Sequence, residues 1–184
     1  MKANHPPKME WATQRIVAAI RGSRDVVQAI GSTVTELFTK TMKETGKVGT
    51  SVTEVFTGVA DGVVRGASEV GADLGQAGKG LMLGVLCGAR EAGTDGINAI
   101  SQTAAAAIHA TATVGGDLQQ AAIGLMQGAI QGAKEIDVPS EVAVKAAADG
   151  ALKAAEKLGP SAMDTVRAGV HKASPDQAKE RVTV

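Results

Sequence analysis

Apolar residues recur along residues 26–136 at an interval of eleven. One row runs Val26, Leu37, Val48, Val59, Val70, Leu81, Ala92, Thr103, Val114, Leu125 and Ile136. A second, from Ile30, includes Val52, Val63, Leu74, Val85, Ala107 and Leu118. Eleven residues fill three turns of α-helix, so each row stays on one face. The implied period is slightly longer than ideal, which favours right-handed winding and disfavours a heptad coiled coil. Charges fall mainly on the other arc: Lys40, Lys43, Lys47, Glu54, Asp61, Arg65, Glu69, Asp73, Arg90, Glu91 and Asp95. The apolar arc spans roughly half the circumference, wider than a two-stranded seam needs. Each helix must therefore meet several neighbours or a broad apolar surface. Proline is absent between Pro7 and Pro139, which also favours helix. The pattern predicts an all-α fold of long or 22-residue-repeated amphipathic helices, in an antiparallel bundle or an extended assembly.

Glycine gives the repeat its length. Gly49, Gly71, Gly93, Gly115 and Gly159 are separated by multiples of 22, each followed two residues later by Asp or Ser. Residues 71–92 and 115–136 share twelve identities in 22 without gaps, from Gly71/Gly115 to Glu91/Glu135. Residues 93–114 match 49–70 only weakly, so two kinds of half-unit alternate within a 44-residue duplication. At 137–141 and 158–161 the helix must stop, since proline disfavours helix before it, and Ser140 and Ser161 can cap the next one. At 49, 71, 93 and 115 two readings stand. Either tight turns separate helices of about 18 residues, or one helix runs through, because a 22-residue unit preserves phase in both cases.

Three further glycine sets share another phase: Gly58-Gly62-Gly66, Gly80-Gly84-Gly88 and Gly124-Gly128-Gly132. A glycine inside a helix costs about 1 kcal/mol relative to alanine. The compensation expected is close helix approach, because loss of Cβ admits dispersion and Cα–H···O contacts. These triplets predict contact stripes.

The chain divides into a basic segment, 1–25, entering the first amphipathic helix; the repeat region, 26–136; two Ala-rich helices, 137–173; and a polar tail, 174–184. The first helix is expected over 8–30, with Trp11, Ile16, Val17, Ile20, Val26, Val27 and Ile30 on its apolar side. Only Trp11, Phe38 and Phe56 are aromatic, so any core is thin and closely packed. Nineteen basic and nineteen acidic residues cancel, and no whole-chain field attracts nucleic acid. Residues 1–48 are nonetheless mildly basic and 49–136 mildly acidic. The charge-free stretches 96–116 and 118–133 raise the question of membrane spans. Asn98, Ser101, Gln102, His109 and several glutamines interrupt them, and spanning is the lesser reading. The N-terminus lacks the apolar core of a signal peptide, and one cysteine, Cys87, excludes a disulfide framework. The expected location is cytoplasmic, or peripheral at a membrane or granule surface.

No reaction chemistry is evident. His5, His109 and His171 have no Cys or carboxylate at metal-ligand spacing, so no metal site is expected. Cys87, in an apolar stretch, reads as a packing residue rather than an activated thiol. The glycines follow helical spacing with no GK[ST] ending and no preceding strand, which excludes a phosphate loop. No catalytic, cofactor-binding or metal-binding residue is assigned, and no small-molecule substrate is expected.

The 11/22-residue amphipathic periodicity over roughly residues 26–158, with Lys40 to Gly49 as its most synuclein-like part, resembles the repeats of apolipoproteins, synucleins, perilipins and late-embryogenesis-abundant proteins. It also resembles the Ala-rich phasins of polyester granules. The resemblance implies adsorption to an apolar surface. The glycine triplets depart from those families, offering lipid little apolar area. Two expectations follow. The first is a non-enzymatic, self-assembling structural protein packed through Gly/Ala faces as a homo-oligomer. The alternative is a lipid-, membrane- or granule-surface coat protein.

Overall fold

A computed structural model describes residues 8–48 and 52–174, all helices and short connections. Eight α-helices follow in order: α1 Lys8–Arg21, α2 Val26–Val48, α3 Val52–Glu69, α4 Leu74–Ala92, α5 Gly96–Thr113, α6 Leu118–Ala133, α7 Ser140–Leu158 and α8 Pro160–Ala173. A single 3-10 turn, Lys134–Ile136, extends α6. The all-α expectation is met, and the segmented reading describes the repeat. The glycine at 49 and the polar tail beyond Ser174 lie outside the described residues.

The turns between α3 and α6 share one chemistry. Gly71, Gly93 and Gly115 each take φ +67°, a left-handed conformation that glycine adopts without strain. Around each, two backbone bonds close the preceding helix: Ala72 N–H donates to Ala67 O at 2.8 Å and Gly71 N–H to Ser68 O at 3.2 Å. Thr94 to Ala89 and Gly116 to Thr111 repeat the longer loop at 2.9 Å. This is the Schellman ending, with glycine at C′. The next residue but one then starts the following helix. Asp73 accepts from the Gln76 N–H at 2.8 Å, Asp95 from Ile97 at 2.9 Å, and Asp117 from Gln119 at 2.9 Å and Gln120 at 3.0 Å. Thus Gly-x-Asp ends one helix and caps the next within three residues.

Asp137 holds the next place on the 22-residue lattice and adopts φ +54° without being glycine. Val138 N–H donates to Ala133 O at 3.0 Å, preserving the loop. The expected caps at Ser140 and Ser161 are corrected: both serines lie inside the first turn, Pro139 and Gly159 hold the cap positions, and neither start has a side-chain cap. The expected single helix over 8–30 is corrected. It breaks at Gly22 to Asp25, where Ser23 N–H donates back to Ile20 O and Asp25 caps Gln28 N–H at 3.0 Å.

Every helix packs most extensively on the helix two places along the chain. The result is two layers, α1-α3-α5-α7 and α2-α4-α6-α8, with consecutive helices paired across them. Trp11 lies beside Lys40 and Arg15 beside Glu36, so α1 and α2 run antiparallel. Ile30, Val34 and Phe38 face Gly80, Gly84 and Gly88 in order, so α2 and α4 run parallel. The alternating half-units are the two layers, and the 44-residue duplication is one antiparallel helix pair. This explains the wide apolar arc: each inner helix needs one face for each layer neighbour and another for the opposite layer. A continuous cluster including Ile16, Phe38, Val63, Leu81, Leu125 and Val166 runs between the layers. The Phe38 and Phe56 rings, 5.2 Å apart, join α2 to α3.

One residue of the predicted polar arc turns inward. Asp61 is only 8% exposed, and its carboxylate accepts from Arg65 Nε at 2.6 Å.

Candidate functional site

The glycine triplets line the contacts within each layer. On α4, a methyl group at Gly84 would lie 2.5 Å from Gly31 O and 2.6 Å from Val34 Cβ. One at Gly80 would lie 2.8 Å from Val27 O, and one at Gly88 2.9 Å from the Phe38 ring. On α6, Gly124 abuts the Gly75 carbonyl, Gly128 meets Lys79 and Met82, and Gly132 meets Leu86. Gly62 and Gly66 of α3 face Ala12 and Ile16 of α1; Gly150 faces Ser101 O, and Gly169 faces Gln119 O. A Cβ below 3.0 Å forces its neighbour to shift, which is costly where that neighbour is backbone, as at Gly80, Gly84, Gly124, Gly128, Gly150 and Gly169. The close approach also brings Gly84 O of α4 to 3.1 Å from the Thr35 hydroxyl of α2, whose single proton it shares with Gly31 O of α2 at 2.9 Å. Gly58 differs, with nothing within 4 Å of the position a Cβ would take.

The two ends of the stack break this pattern. Val34 and Phe38 hold the places in α2 that Met82 and Leu86 hold in α4, because each pair receives the next helix's glycines. In that register, Ser32, Glu36 and Lys40 occupy the row filled by Gly80, Gly84 and Gly88, and all three are exposed. At the other end, Gly169 of α8 corresponds to Gly124 of α6. Asp164 and Arg167 then stand where α6 presents Gln119 and Ala122 to α8, and they, like His171 one turn on, are exposed. On α7, Lys145, Asp149 and Glu156 are exposed one repeat on from Ser101, Ala105 and Ala112. Polar terminal faces are what a finite repeat array requires. The sequence reading missed these end rows, because they become visible only once the register between partner helices is known.

Trp11 lies at the α1-α2 end, 42% exposed. The Arg15 guanidinium carbon and the Lys40 Nζ lie 5.5 and 5.6 Å from its ring centroid, within cation–π range. Arg15 also binds Glu36 at 2.9 Å.

The remaining chemistry-bearing residues are dispersed. His109 is exposed on α5 and His171 on α8. Cys87 is half-buried on α4; burial pushes its thiol pKa up, Glu135 adds to this, and Arg90 opposes it. A thiol shifted that way is a poor nucleophile at neutral pH. Among the described residues no three His, Cys, Asp or Glu side chains are grouped to hold a metal ion. A shallow polar cleft of about 630 Å³, lined by Glu10, Gln14, Asp61, Arg65 and Glu69 among others, contains no histidine or cysteine. A second, of about 410 Å³, lies by the turns at 93–97 and 135–138, where Arg90 donates to the Glu135 carbonyl at 3.2 Å. No helix of the described residues is long and apolar enough to cross a membrane.

No family model matches the chain, and no curated protein is significantly similar to it. Among solved structures, it is similar to the crystal structure of the de novo designed helical repeat protein DHR7. That likeness has a TM-score of 0.58 and 17% sequence identity, and covers 94% of this chain and 95% of the designed one. It concerns the fold alone: a stack of helical repeats.

Proposed function

We propose that the protein is a non-enzymatic structural scaffold, a rigid stack of helix pairs that folds as one chain and presents its surface to a partner. The observation carrying this reading is the use of the glycine faces. The glycine contacts are made between helices of the same chain, and at each end the row left without a partner helix is polar, the glycine-side row in α2 and the opposite row in α8. Self-assembly through glycine faces would have to bring Ser32, Glu36 and Lys40 against another helix, desolvating the Arg15–Glu36 pair and the Lys40 ammonium. The coat alternative, with helices spread on lipid, would have to open the stack, because the apolar arcs are buried between the layers. Circular dichroism at the lowest workable concentration tests the proposal. A scaffold is fully helical in buffer and unfolds cooperatively; a chain that is disordered until concentrated or mixed with lipid would overturn it.

A further inference from the structure

We infer that the α1-α2 end of the stack is a docking face for anionic lipid surfaces. Four observations meet there. Trp11 is the sole tryptophan and the most exposed large apolar side chain near that end. Arg15 and Lys40 hold cations against its ring, and Lys43 is exposed one turn beyond Lys40. Glu36, the acid in this row, is engaged by Arg15, leaving Lys40 and Lys43 to set the sign of the face. Among the described side chains of α1, α2 and the turn between them, Arg15, Arg21, Arg24, Lys40 and Lys43 outnumber Glu10, Asp25 and Glu36, whereas the repeat behind them is mildly acidic. The charge asymmetry therefore orients the stack end-on towards negative charge.

An amphipathic indole flanked by ammonium and guanidinium groups matches the headgroup region of a bilayer, where tryptophan is enriched and lysine and arginine attract anionic lipid. At the opposite end, Asp149, Glu156 and Asp164 accompany Lys145, Arg167 and His171, so that face lacks the same bias. This mode differs from helix adsorption because the stack stays closed and only its end touches the surface. It rests on the scaffold reading, and helicity distinguishes failure of one from failure of the other.

With one tryptophan and no tyrosine, the emission of the full chain reports this face directly. The test titrates the protein with phosphatidylcholine vesicles, with and without phosphatidylglycerol, at low and high salt. The expected result is a blue shift and protection from acrylamide with the anionic vesicles only, reversed by salt, at constant helicity. Lys40→Glu with Lys43→Glu should weaken partitioning by at least about tenfold, as charge reversal next to an anionic surface requires. Lys145→Glu, at the other end, should leave it unchanged. Absence of a shift, equal binding to neutral vesicles, or indifference to the Lys40/Lys43 reversal would each overturn the docking face while leaving the scaffold intact. Stronger protection by a single-stranded oligonucleotide than by vesicles would overturn the lipid assignment. A rise in helicity on vesicles would overturn the closed stack as well.

Discussion

Thr103 occupies the apolar row of α5, fully buried, and its hydroxyl lacks a hydrogen-bond partner. A buried unsatisfied hydroxyl keeps its desolvation cost with nothing to offset it. Thr103→Val, nearly identical in shape, is predicted to stabilise the fold by about 1 kcal/mol, measured as a higher urea midpoint at unchanged slope. Asp137 presents a different local cost, a side chain at φ +54° where the equivalent turns use glycine. Asp137→Gly relieves that strain but gains freedom in the unfolded chain, and the balance should be a stabilisation of about 0.5 kcal/mol. Thr103 was legible as a member of the eleven-residue row, although its unsatisfied hydroxyl was not. The inward turn of Asp61 was also hidden, since charge alone placed it on the solvent arc and only its pairing with Arg65 accounts for its burial.

The helices were legible wherever a turn repeated a sequence device. Gly-x-Asp at 71, 93 and 115 combines a residue suited to positive φ with a cap two positions later. Phase alone could not separate turns from a continuous helix, because six helical turns and one helix-plus-turn unit both fit 22 residues. The break between α1 and α2 escaped because it lies off that lattice and ends without a positive-φ glycine, relying on the Asp25 cap. The glycine triplets make a contrast that local propensity cannot. Gly58 and Gly84 are both helical, yet the former opens onto free space and the latter abuts Gly31 and Val34. Gly58→Ala should therefore stabilise by up to about 1 kcal/mol through helix propensity. Gly84→Ala should destabilise by about 1–3 kcal/mol, as overpacking does. Equal effects in thermal unfolding would show that the glycines act through composition rather than contact.

At the scale of the molecule, the repeat and its all-α class could be read from periodicity, but the destination of the contact stripes could not. A glycine face predicts close packing without saying whether the neighbour belongs to the same chain. The fold supplies that neighbour two helices away, and charged residues close the rows at both ends. The direct test is sedimentation equilibrium of the full chain over a wide concentration range. A closed stack predicts a single species at the chain mass of 18.5 kDa, helical throughout. Contradiction would be a mass that rises in multiples with concentration and falls back to a monomer lacking helix, placing the glycine contacts between chains.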